Sequence, residues 1–512
     1  MNDTSRTAKS IINVKIAIIF YFLNLTLQFF SRKVFFDYLG SEVLGLNTTV
    51  QNLLGFLNLA ELGIGNAIAY NLYKPLYNND HKTINEIVSV QGWLYRKVVI
   101  IISTCSIGLM SFFPLIFAKT HLPLWYSYGS FIVLLFAVLI SYYFNYTQIL
   151  FSADQKEYLI TYRVQGIRVI KVLLQILAIR FLSKGYLWWM ILEFIMAIIT
   201  AILLDRGIKK EYPWLKTQPQ YGKKLKELYP GIITKTKQMF FHKIGGFVLT
   251  QTSPIIIYAY ASLTLVAIYG NYMLIISGVT MLVNSLLNGV SAGVGNLVAE
   301  GDIKRIKTVF WELTSLRMWI GSIVCFGIYA LADSFITLWI GEDYILPQSS
   351  LIVLIAITFI SLTRTYDIFI NAYGLFQDVW SPMVEAAINL SLSILLGYKF
   401  GLTGILSGVL ISQIVIICTW KPFFLYRYGL KEKFISYVMR YLKLIILLFS
   451  AFYISENIIT SLIKYNIKDF IHLGLYAIII ISIYSLISLI ILYLLDTSAR
   501  LFTKRIIKII TK

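Results

Sequence analysis

Seven ionisable residues lie inside apolar runs: Arg32, Glu61, Arg168, Lys171, Lys243, Arg364 and Asp367. A charge in hydrocarbon costs roughly 2.5–3.5 kcal/mol on insertion scales. Residues of this kind therefore face a watery cavity or one another. Five of the seven are basic, so a cavity lined by them would hold an anion. Amides recur at helical spacing beside them: Asn24 and Gln28 below Arg32; Asn47, Gln51 and Asn58 leading to Glu61 and Gly65; His242 beside Lys243; Asn284 and Asn288. Each group falls on one face of a helix. Asn and Gln also bond neighbouring membrane helices for about 0.6 kcal/mol each. Single amides are thus read as contacts between helices or as cavity lining, and the ionised residues as lining. Arg364 and Asp367, at i and i+3, are either a neutralising pair or a titratable one.

The elements that carry these residues are membrane-spanning helices. The chain has 512 residues, is 58% hydrophobic, and has a formal net charge of +20. A span needs about 20 apolar residues, and about fourteen such runs recur to the end of the chain. They cover 12–31, 43–69, 94–117, 124–150, 164–182, 186–204, 232–258, 263–288, 309–332, 350–373, 383–399, 402–425, 436–455 and 470–495. The runs are continuous rather than alternating, which excludes a β-barrel. Three cysteines inside apolar runs provide neither a disulfide framework nor metal spacing. The N-terminal basic segment lacks a small-residue cleavage site and reads as an uncleaved first helix.

Loop charge orients the helices. Lys and Arg gather in every second loop and at both ends, as in Lys304, Arg305 and Lys307 or Arg500, Lys504 and Arg505. The loop at 331–347 carries acids only. The positive-inside rule then expects both termini in the cytoplasm. The longest loop, "DRGIKKEYPWLKTQPQYGKKLKELYPG", reads as a basic linker that lies on anionic lipid or merely sets topology. The charge is spread over loops and carries no nucleic-acid motif.

An offset of 224 residues brings Asn47 onto Asn271, Gly65 onto Gly289, Tyr142 onto Tyr366 and Asp154 onto Asp378. Helix and loop positions agree at that offset better than identities do. The expected fold is all-α: two six-helix lobes related by a pseudo-two-fold along the membrane normal, plus two C-terminal helices. The lobes are 1–204 and 232–428, joined by the linker 205–231 and followed by 429–512. Helices 1, 2, 7 and 8 would enclose a cavity between the lobes.

The segments "YLGSEVLGLN", "LLGFLNLAELGIGNAIAYNLYKPLYNND", "GNLVAEGD" and "LWIGEDYILP" resemble bacterial polysaccharide repeat-unit flippases of the Wzx type. That family shares a superfamily with MATE drug exporters and the lipid II flippase. The resemblance covers nearly the whole chain through its helix plan, with its local motifs mostly in the first 80 residues. It implies a transporter of the bacterial inner membrane, not an enzyme. It also implies a polyprenyl-pyrophosphate-linked oligosaccharide substrate, alternating access, and a polysaccharide polymerase and chain-length regulator as partners. Arg32 stands at the basic position it implies in helix 1. The chemistry agrees, since Arg forks suit phosphate oxygens. The residues expected to hold the anion are Arg32, Arg168, Lys171, Lys243 and Arg364. Anionic membrane lipids are expected partners and nucleic acid is not. No cofactor is expected beyond a coupling H+ or Na+, for which Glu61 and Asp367 are the candidates. The competing functions are a MATE-like exporter of cationic drugs, which the basic charge disfavours, and a membrane glycan polymerase or ligase. The latter lacks a sizeable outer loop and any catalytic constellation.

Overall fold

A computed structural model describes the backbone of residues 6–61, 63–154, 156–288, 291–375, 377–378, 380–462 and 467–510. Within these stretches, the side chains of 6–14, 60, 66, 235, 238–239, 241–251, 285–288, 291–292, 296, 299, 462 and 506–510 are excluded. Among the described residues every regular element is a helix. They are α1 Arg6–Leu39, α2 Ser41–Leu57, α3 Ile64–Tyr77, α4 His81–Ser111, α5 Leu124–Phe144, α6 Glu157–Phe181, α7 Gly185–Glu211, α8 Pro230–Tyr260 and α9 Leu263–Asn288. There follow α10 Ser291–Glu300, α11 Ile303–Ile340, α12 Gln348–Leu362, α13 Thr365–Ala372, α14 Ser381–Gln413, α15 Phe434–Leu462, α16 Phe470–Leu495 and α17 Thr497–Ile510. Shorter turns lie between them.

Nine helical stretches among the described residues are long and apolar enough to cross a membrane. One of them, Ser381–Leu430, contains two of the expected runs. α6 falls outside the nine because Arg163, Arg168, Lys171 and Arg180 place too many charges in its apolar sequence. The protein is an all-α, multi-pass membrane protein.

The chain forms two compact units, Met1–Ala267 and Ile268–Lys512. In the first, α6 packs between α1 and α7, and α8 packs on α2 and α3. In the second, α11 packs on α12, α16 and α17, and α16 on α15. The units repeat local devices near the 224-residue offset. Asp80 caps α4 by accepting from the Thr83 amide at 3.0 Å, and Asp302 caps α11 by accepting from the Arg305 amide at 3.1 Å. Asp154 pairs with Lys156 at 2.7 Å, and Asp378 with Lys421 at 3.0 Å.

Four of the expected spans are not separate straight rods. The second breaks at a 3-10 turn, Asn58–Glu61, and at Gly63, whose φ of 92° favours glycine. The tenth breaks between α12 and α13. The eleventh and twelfth form one hairpin that turns at Gly401, φ 54° and ψ −135°. Its arms touch backbone to backbone: a Cβ on Gly404 would lie 2.1 Å from the Leu396 carbonyl oxygen, and one on Gly408 2.3 Å from the Ser393 nitrogen.

Candidate functional site

The break in the tenth span builds a polar pocket inside the second unit. α12 stops at Leu362, and Arg364 becomes the residue before α13, with φ −73° and ψ 61°. Asp367 then sits in the first turn of α13, where the helix dipole favours a carboxylate. Arg364 Nε donates to Asp367 Oδ2 at 2.7 Å, and both side chains are about one-third exposed. A helix end leaves carbonyls without intrahelical donors. Arg317 on α11 supplies one, donating from Nη1 to the Leu362 carbonyl at 3.4 Å, and it is buried at 6% exposure. Gly321, one turn along α11, lets Thr363 and Leu362 approach to 3.3 and 3.5 Å of where a Cβ would stand. The cavity, about 540 Å³, is lined by Arg317, Arg364, Asp367, Asn284, Asn371 and Ser361. Two guanidiniums against one carboxylate leave a net positive charge, and the amides and hydroxyl add neutral hydrogen-bonding groups. Such a lining can take an anion with polar substituents.

No family model matches this chain, and no curated protein sequence does. Among solved structures, it superimposes on the lipid II flippase MurJ in an inward closed conformation with a TM-score of 0.64. That match has 16% identity and covers 94% of this chain and 98% of that one. It also superimposes on an inward-facing multidrug resistance MATE family transporter of the MOP superfamily, with a TM-score of 0.58 and 13% identity. There the coverage is 80% of this chain and 95% of the other. The chain shares the fold of these two proteins.

Of the residues expected in a cavity, Arg364, Asp367 and Asn284 meet in the pocket. Arg317 was missed. It lies within "FWELTSLRMWI", where the surrounding α11 sequence reads as an ordinary span, and no amide stripe accompanies it. The first unit uses several expected lining residues as contacts between helices. Lys171 is bound to Glu193 at 2.8 Å, and Gln175 donates to the same carboxylate at 3.1 Å. Asn24 donates to Gln165 at 3.1 Å, joining α1 to α6. Asn47 is buried and accepts from Tyr186 Oη at 2.8 Å.

The second-span stripe does not form one face. Asn47 is buried while Gln51 is exposed, and the 3-10 turn changes the helical register after Leu57. Within that turn Glu61 accepts from Tyr95 Oη at 3.0 Å, and Asn58 accepts from Tyr142 Oη at 3.4 Å. Arg168 is exposed on α6, and Gln28 is half-buried on α1. α1 runs on to Leu39, so Arg32 is half-buried within the helix rather than at its end. The neighbouring Lys33 pairs with Asp37 at 3.0 Å. The side chains of His242, Lys243 and Asn288 lie outside the described residues.

The basic linker is not a free tether, because it is strapped along α4. The Lys216 amide donates to Asn85 and the Gln218 amide to Ser89, each at 2.8 Å. Trp214 stacks on His81 with centroids 3.9 Å apart. Lys226 and Lys97 both lie over the Trp93 ring. Tyr229 Oη donates to Glu86 at 2.6 Å. Burial, and then the Glu86 carboxylate, push that phenol up to about 12. Thr83 hydrogen bonds hold Asp80 below the usual carboxylate range. Lysines 216, 223 and 224 remain exposed on the outer side of the strap.

Proposed function

We propose that this protein is a flippase that carries a polyprenyl-pyrophosphate-linked oligosaccharide from the cytoplasmic to the outer leaflet of the bacterial inner membrane. It works by alternating access in cell-surface polysaccharide export. The observation that carries the reading is the Arg317–Arg364–Asp367 pocket among membrane helices, with Asn284, Asn371 and Ser361 beside it. Guanidinium forks suit a diphosphate, and the neutral groups suit sugar hydroxyls. The lipid tail stays in the bilayer while the head crosses. Outward movement of an anion is favoured by an inside-negative potential, by about 2.3 kcal/mol per charge per 100 mV. A coupling H+ or Na+ at Glu61 or Asp367, both termini in the cytoplasm, and a polymerase with its chain-length regulator as partners belong to the same proposal. A pocket of net positive charge disfavours the cationic-drug exporter.

The test is reconstitution. Liposomes holding the purified protein should flip a fluorescent lipid-linked oligosaccharide, and the double variant R317A/R364A, folded and inserted, should not. Equal flipping by both overturns the proposal. In cells, removal of the protein should leave a lipid-linked oligosaccharide on the inner leaflet, which identifies the glycan.

A further inference from the structure

The second unit holds a buried carboxylate that the pocket does not use. Glu385, one turn into α14, is 5% exposed and has no hydrogen bond or ion pair to any described residue. The same segment, Ser381–Leu430, buries other polar atoms that have no described partner. Asn389, one turn further along the same face, has a buried Nδ2 without a described partner, as does Trp420 at Nε1. The hairpin that pairs Gly404 with Leu396 and Gly408 with Ser393 carries Glu385, in the same register, to the segment Ile414–Trp420. That segment is π-helical, a distortion that recurs at functional positions. The charged and titratable groups acting on Glu385 are Arg364, which precedes α13, Asp367 in its first turn, Lys421 and Cys418. Asp378 holds Lys421 at 3.0 Å.

We infer that Glu385 is a proton-binding site whose occupancy sets the anion affinity of the Arg317–Arg364 pocket. The charges decide the sign. An ionised Glu385 with Asp367 and Asp378 balances Arg317, Arg364 and Lys421, three against three. A proton on Glu385 leaves one positive charge in excess, so proton and anion bind together. A metal cation does not suit a carboxylate flanked by Arg364 and Lys421, whereas a proton removes the cost of a buried, unpaired anion. Linkage is reciprocal, so anion binding must in turn draw in the proton.

This inference rests on the anion-pocket reading, and one experiment separates their failures. The probe is a short-chain P1,P2-disubstituted pyrophosphate; each phosphorus keeps one strongly acidic hydroxyl, so the probe's own charge does not change over the titration. It is titrated onto the purified full-length protein. Wild-type affinity should rise on acidification, by at most about tenfold per pH unit for one linked proton. Glu385→Gln should bind at high pH as tightly as the wild type does at low pH, with the slope lost. Calorimetry of the wild type in two buffers of different ionisation enthalpy should show proton uptake with the probe, which keeps the test available if the variant does not fold. A retained slope in E385Q, or binding without proton uptake, overturns this inference alone. No binding at any pH overturns the pocket reading and this inference with it.

Discussion

At the scale of single residues, the same side-chain types do opposite work. Arg317 and Arg364 line a pocket, whereas Lys171 is consumed by Glu193. Substitution distinguishes them. Arg317→Ala should lower pyrophosphate affinity by roughly tenfold to a hundredfold, the worth of a charge-assisted hydrogen bond. Arg317→Lys should restore only part of it, since an ammonium has no fork; dye-displacement titration reads both. Lys171→Met alone should cost about 3 kcal/mol in thermal unfolding, because it strands a buried Glu193. The double change Lys171→Met with Glu193→Leu should recover most of that and leave transport intact. If K171M abolishes transport at unchanged stability, Lys171 belongs to the cavity. Arg364 and Asp367 were legible because charges at i and i+3 in an apolar run announce a reason to be there. The partner of Lys171 was not, because Glu193 lies alone in "YLWWMILEFIMAIIT" and pairing across helices leaves no periodic mark.

At the scale of elements, helix positions were legible and helix breaks were not. Apolar length reports a span whether or not its backbone bends, so the second, tenth and paired eleventh and twelfth runs read as rods. The breaks at Gly63 and before Arg364 are local backbone events set by packing. The hairpin rests on small residues, and its expected sensitivity comes from the lack of space. Gly404→Ala should lose about 2 kcal/mol or more by overpacking against a carbonyl. Gly401→Ala should lose about 1–3 kcal/mol through backbone strain; thermal melts in one detergent compare the two. The strap offers a further check. A Cβ on Gly222 would stand 2.3 Å from Trp93 Cβ, so Gly222→Val should lift the segment and speed trypsin cleavage at Lys223 and Lys224. Unchanged cleavage would mean that the strap is held elsewhere. Backbone amides of Lys216 and Gln218, with Trp214, Lys226 and Tyr229, hold it to α4, while its exposed lysines face outward.

At the scale of the whole molecule, the fold class was legible from composition and run length, and the superposition on MurJ and a MATE transporter agrees with it. Orientation rests on loop charge. With the native cysteines replaced, a cysteine at Asp343 should react with an impermeant thiol reagent in intact cells, and one at Gln220 should not; both positions are exposed. The reverse pattern would invert the topology.

The turn at Gly401 bears on how the chain is made. With its arms in backbone contact from Ser393 to Gly408, the segment Ser381–Leu430 has no slack at its tip. Each arm buries its small-residue face only against the other, so the two are stable in the bilayer as one piece. An epitope placed between Phe400 and Thr403 should therefore lower the amount of inserted protein, read by immunoblot of isolated membranes.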